Sequence, residues 1–123
     1  MHFASYVLPH SKQQQTVETV AVLQVSGEID VAERQRFTDA VEQAAEGQST
    51  LVIDLDRVRY IDSIGLTVLI RAHKMMLDRG GCLTVAASTP LIRRLLVLTG
   101  LDRLFGMHED VACAVRALTA PSV

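Results

Sequence analysis

The chain has 123 residues, 49% of them hydrophobic, with no Trp, 4% aromatics and a formal net charge of −2. That length suffices for one domain whose core needs no metal or disulfide staple, and the core has to be aliphatic. The near-neutral charge gives no electrostatic ground for nucleic acid or anionic lipid, and no apolar run approaches the length of a membrane-spanning helix.

Cys82 and Cys113 stand far apart, without a C-x-x-C or His/Cys cluster, which predicts small buried thiols in a reducing compartment and no zinc. The N-terminal MHFASYVLPHSK lacks a basic region followed by a sustained apolar core, so no signal peptide and a cytoplasmic location are expected.

Residues 1–16 read as a lead-in that admits an edge strand near Phe3 to Leu8, ended by Pro9 and the polar tract His10 to Gln15. Val17 to Ser26 reads as a strand with Val20, Val22, Leu23 and Val25 toward a core. Gly27-Glu28-Ile29-Asp30 closes it, and Asp30 is placed to cap a helix, with Glu33 where a capping-box partner belongs. That helix, Val31 to about Glu46, sets Phe37, Ala40, Val41, Ala44 and Ala45 on one face before Gly47 stops it.

Thr50 to Leu55 is a near-continuous apolar run, the pattern of a central parallel strand. A charged segment, read as a turn, leads to Asp62-Ser63-Ile64-Gly65-Leu66, the expected first turn of a helix reaching Asp78. Leu66, Leu69, Ile70, His73, Met76 and Leu77 form its apolar stripe, Gly80-Gly81 ends it, and Cys82 to Ala87 is the next strand. Ser88-Thr89-Pro90 is a helix start, a hydroxyl cap before proline, for a helix filled by Leu91, Ile92, Leu95, Leu96 and Leu98 and stopped at Gly100. A short strand at Leu104 to His108 is expected next. Asp110 then caps a final helix, Val111 to Leu118, before a frayed tail at 120–123.

Strand and helix thus alternate four times, which predicts an α/β layer with a mostly parallel sheet and a single domain at 17–119.

Ser63 has two readings. Serine at a helix start is ordinarily a cap worth roughly 1 kcal/mol, and capping serines far outnumber switches. The other reading is a phosphoacceptor, because the unpaired N–H groups of a helix N-terminus favour an anion and a phosphate adds about −1.5 to −2 charges. Asp62 is a cap or a partner that orients the Ser63 hydroxyl. Gly65 costs helix stability, so something has to approach its backbone closely.

Asp54 and Asp56, at i and i+2, have the spacing to hold Mg²⁺, but without a phosphate-binding glycine loop a solvated strand end is the better account. His73 stands alone on an apolar face and reads as a packed residue. Arg93, Arg94 and Arg103 read as solvated helix faces, and Met75 and Met76, being adjacent, cannot both point inward. No Ser-His-Asp, Cys-His, Walker, G-x-G-x-x-G or H-E-x-x-H pattern is present, so no catalytic residue, metal or cofactor is expected.

The segments VSGEID, LVIDLDRVRYIDSIGL, RGGCLTV and LIRRLLVLTGLDRLF, in that order over about Val20 to Leu118, resemble a STAS domain, and more narrowly the bacterial anti-sigma factor antagonists. The resemblance implies a sheet of four or five strands, mixed and mostly parallel, with helices packed on one side. It also implies a non-enzymatic partner that, unphosphorylated, binds an anti-sigma factor serine kinase of the GHKL type and frees a sigma factor. Phosphorylation of the serine after the motif aspartate, here Ser63, would release the kinase, and a PP2C-type phosphatase would reverse it. Asp30, Asp62, Ile64 and Gly65 would share the partner surface. Position 64 departs from relatives that often carry Ser, Thr or Ala there, so Ile64 narrows access to the hydroxyl or tunes partner choice. The alternative within the same resemblance is a STAS scaffold of a signalling assembly, its serine silent. An enzyme using Asp54, Asp56 and Ser63 on a phosphorylated substrate is the remaining rival.

Overall fold

Five strands form one sheet in the order in which they occur along the chain. The computed structural model describes residues 2–11 and 17–119. The strands are β1 (His2–Ser11), β2 (Val17–Ile29), β3 (Thr50–Ile61), β4 (Cys82–Ala86) and β5 (Met107–His108). β1 pairs antiparallel with β2, and every other pairing is parallel. The helices are α1 (Arg34–Ala45), α2 (Ser63–Asp78), α3 (Pro90–Leu98), α4 (Leu101–Phe105) and α5 (Val111–Thr119), with a 3-10 turn at Val31–Glu33 ahead of α1. The mixed, mostly parallel α/β class is therefore as expected.

The helices do not all lie on one side. α1 to α4 lie within three successive crossovers that step the same way across the sheet, and right-handed crossovers of that kind put their helices on a single face. There Phe37, Leu69, Met76, Ile92, Leu96 and Phe105 close over Leu23, Leu51, Ile53, Leu83 and Val85. α5 follows the last strand and is no crossover, so handedness leaves it free. It covers the opposite face, with Ala114 against Val20, Val22, Val52 and Ala86 and with Val111, Val115 and Leu118 alongside. Both faces of β2 are thus buried, which is why its apolar residues run almost without alternation.

Several boundaries differ from the sequence reading. β1 runs on through Pro9 to Ser11, so the sheet begins within the segment read as a lead-in. Pro9 is tolerated because β1 is an edge strand. His10 and Ser11 belong to this strand, while residues 12–16 of the polar tract and the tail at 120–123 lie outside the described residues. The charged turn after Leu55 is strand: Arg57, Val58, Tyr60 and Ile61 pair with Ser26, Gly27, Glu28 and Ile29, across two register shifts. Bulges accommodate such extra residues and let a polar sequence stay in the ladder.

Glu33 does not complete a capping box; its carboxylate takes Arg36 Nη1 at 3.0 Å. Thr89 caps α3 without a side-chain bond, although Pro90 does open the helix. Leu91 and Leu98 point outward, as does Leu77 of α2, leaving Ile92 and Leu96 as the buried pair of α3. Of the strand expected at Leu104 to His108, Leu104 and Phe105 end α4 instead, and Met107 and His108 form the strand. Gly47, at φ +71°, ends α1 as expected, and Asp110 caps α5 by accepting from Cys113 N–H at 2.7 Å. That backbone hydrogen bond holds the Asp110 carboxyl below the usual carboxylate range.

Candidate functional site

The C-terminal ends of β2 and β3 are tied together. Ile29 stands opposite Ile61, and Asp62 N–H donates to Ile29 carbonyl oxygen at 3.1 Å. Asp30 and Asp62, the residues that follow the two strands, are thereby brought together at the C-terminal end of the sheet, with Ser63 beginning α2 beside them.

Each aspartate caps its own helical turn. Asp30 Oδ1 accepts from Ala32 N–H at 3.1 Å. Asp62 Oδ1 accepts from Ile64 N–H at 3.0 Å and Gly65 N–H at 3.1 Å. Two of the amides that a capping serine would need are already taken. Asp62 is thus the cap and does not orient the serine. Ser63 occupies the first helical position, exposed, and its hydroxyl makes no hydrogen bond among the described residues. The structural duty that would explain the serine belongs to its neighbour.

Gly65 answers an internal demand. It is buried, and a Cβ there would stand 2.6 Å from Ile61 Cγ1 and 2.7 Å from Ile29 Cγ2. The close approach inferred from the sequence is met by two strand-end isoleucines beneath the helix. Ile64 is half-buried at the rim.

Two residues of this end escaped sequence reasoning. Val31 is 66% exposed and Tyr60 50% exposed, although both are large and apolar. Val31 directly follows Asp30, and Tyr60 pairs with Glu28 across β2 and β3. They set apolar surface beside two carboxylates and a free hydroxyl. Tyr60 was hidden by the charged segment around it; the only signal was its β propensity.

The other candidates fall elsewhere. Asp54 is buried, 7% exposed, and accepts from Asp56 N–H at 3.0 Å. Burial is the main cause that pushes its carboxyl above the usual range, so a solvated strand end does not describe it. Asp56 holds the next loop, accepting from Ser88 N–H at 2.7 Å and Ser88 Oγ at 2.6 Å. From Asp56 to Ile61 the strand spans roughly 16 Å, so the three-residue active site of the enzyme reading is not assembled. No group of three or more His, Cys, Asp or Glu among the described residues is placed to hold a metal.

His73 is buried in tilted contact with Phe105, as a core histidine. Arg93 Nη1 donates to Ala87 carbonyl oxygen at 2.7 Å, so this arginine is half-buried and tied to the backbone rather than freely solvated. Met76 is buried and Met75 half-buried against the same core. Cys82 and Cys113 are free and half-buried rather than core residues. A wide cleft of about 860 Å³, lined by Asp39, Glu42, Glu46 and Arg79, lies at the far end of α2 from Ser63. At the Ser63 end, Val31, Tyr60 and Ser63 stand exposed.

The chain belongs to the STAS domain family, whose model matches residues 11–114. Among curated proteins it is similar to the anti-sigma-F factor antagonist RsfB of Mycobacterium tuberculosis, 36% identical over 101 residues, which are 79% of this chain and 82% of that protein. Among solved structures it is similar to an anti-sigma factor antagonist from Mycobacterium paratuberculosis, with TM-score 0.73, 30% identity and 93% of each chain covered. The fold is also that of the Bacillus cell fate determinant SpoIIAA, solved in its phosphorylated form, with TM-score 0.62 at 15% identity over 92% of this chain and 99% of that one. No helix among the described residues is long and apolar enough to cross a membrane.

Proposed function

We propose that this protein is an anti-sigma factor antagonist whose partner binding is switched by phosphorylation of Ser63. One observation carries the reading: Asp62 takes the helix cap, so the Ser63 hydroxyl stands exposed with no structural task. The names of its relatives support the same class.

The unphosphorylated end offers Val31 and Tyr60 as apolar contacts, Asp30 and Asp62 as fixed carboxylates, Ile64 at the rim and the hydroxyl between. Its partner is an anti-sigma factor that is itself a serine kinase of the GHKL type, so catalysis resides there. A phosphate on Ser63 finds the Ile64 and Gly65 amides of α2 already occupied by Asp62. It therefore projects outward beside Asp62 and Asp30, and a surface that accepted a neutral hydroxyl meets a concentrated negative charge. The kinase dissociates, and a PP2C-type phosphatase restores the binding form. These events belong to the cytoplasm, where sigma factors act.

The test is capture from native lysate of the source organism on wild-type, Ser63→Ala and Ser63→Asp baits, with ATP and ADP compared. Ser63→Ala is expected to hold a GHKL-type kinase that Ser63→Asp fails to hold. Equal recovery of the same proteins on all three baits would instead make the chain a scaffold with a silent serine.

A further inference from the structure

The two edges of the sheet are guarded very differently. β5 is two residues long, too short to template another strand. β1 is ten residues long and pairs with β2 through ten consecutive positions without a register shift. It contains no Asp, Glu, Lys or Arg, and it exposes Val7 (49%) and Tyr6 (40%) on its two opposite faces. Soluble proteins blunt such an edge with charge, a bulge, proline or a cover. Among the described residues only Pro9, near one end, does so.

Pro9 also fixes which backbone groups look outward. It has no N–H, so an unbroken ladder to β2 sets it where the N–H would face away from that strand. Alternation then turns the N–H and carbonyl groups of Phe3, Ser5 and Val7 outward as well.

We propose that β1 is a self-association edge, pairing antiparallel with β1 of a second copy about a two-fold axis at Ser5. In this register Ser5 faces Ser5 of the copy, Phe3 faces Val7, Ala4 faces Tyr6 and His2 faces Leu8. Every outward donor from Phe3 to Val7 finds an acceptor, and Pro9 falls just beyond the ladder, where its missing donor ends it. An uncharged strand is self-complementary: no like charges oppose one another across the axis, and the histidines at positions 2 and 10 do not meet. The exposed Val7 and Tyr6 each gain an apolar neighbour. The isologous geometry closes at two copies, since the far edges are the short β5 strands. The Ser63 site lies at the C-terminal ends of β2 and β3 and stays free.

Sedimentation equilibrium of the full chain over a range of concentrations tests this directly, with Ser5→Lys and Ser5→Cys beside wild type. Wild type is expected to approach twice the chain mass. Ser5→Lys should remain at one chain mass while keeping the wild-type far-UV circular dichroism, because two ammonium groups then meet on the axis. Paired residues that exchange both hydrogen bonds have Cα atoms about 5.5 Å apart, within disulfide reach, so Ser5→Cys should form an interchain disulfide through the introduced thiols on mild oxidation, even if Ser5→Lys fails to fold. A wild-type chain that stays single at every concentration would overturn the proposal. So would association that survives a folded Ser5→Lys, or association without an interchain link in Ser5→Cys.

Discussion

At the residue scale, the division of labour between Asp62 and Ser63 makes opposite stability predictions for neighbouring positions. Removing the Asp62 carboxylate frees the N–H groups of Ile64 and Gly65, so Asp62→Ala is expected to cost about 1–2 kcal/mol. Ser63→Ala removes an unbonded hydroxyl and should stay within about 0.5 kcal/mol of wild type. Urea denaturation of both variants decides between them; a comparable loss in Ser63→Ala would return the serine to a capping role. Gly65→Ala forces a methyl group against Ile29 and Ile61, and overpacking of that kind costs roughly 1–3 kcal/mol. The same urea titration checks it, and an unchanged midpoint would mean that the helix start lifts off the strands without penalty.

At the scale of the element, β3 shows where sequence reasoning reached and where it stopped. Thr50 to Leu55 is legible because both faces are buried and the run is apolar. The continuation through Arg57 and Arg59 is not, since its extended form comes from pairing with Ser26 to Ile29 of a strand distant in sequence. The α4 segment failed for the opposite reason. Leu104 and Phe105 have no period long enough to separate helix from strand, and the helix there is a single five-residue turn after Gly100. Asp54 was misplaced too, because α5 buries the face it lies on. Burial raises its carboxyl pKa in the folded chain. The native state therefore holds the proton more tightly than the unfolded state does, and stability falls as pH rises from the free value of roughly 3.9 through the raised one. Asp54→Asn keeps an oxygen that accepts from Asp56 N–H and carries no charge. It should be more stable than wild type at pH 7, the gap closing in acid below the free value, as followed by urea midpoints across pH. A gap independent of pH would contradict this account.

For the whole molecule, the sequence motifs singled out Asp30, Asp62 and Ser63, and the fold brings them together because they follow β2 and β3, whose C-terminal ends a parallel pairing gathers side by side. Composition could not show that α5 crosses to the second face, nor that Val31 and Tyr60 complete the surface, since both depend on which strands adjoin. The arrangement leaves the Ser63 end exposed, the small-molecule-sized cleft at the opposite end, and β1 free along one side of the sheet. A switch by added charge suits this architecture: the site lies on caps that stay in place, so modification changes the surface and not the fold. Ser63→Asp should accordingly unfold at the same urea concentration as wild type, to within about 0.5 kcal/mol, while losing its partner.

The most direct measurement is to incubate the wild-type chain and Ser63→Ala with ATP and the kinase recovered on the Ser63→Ala bait, and to locate phosphate by intact mass and peptide fragmentation. One phosphoryl group on Ser63 of the wild type, none on Ser63→Ala, and loss of the kinase from the phosphorylated chain are the predicted results. A wild-type chain that stays unmodified, or carries its phosphate elsewhere while remaining bound, would contradict the switch.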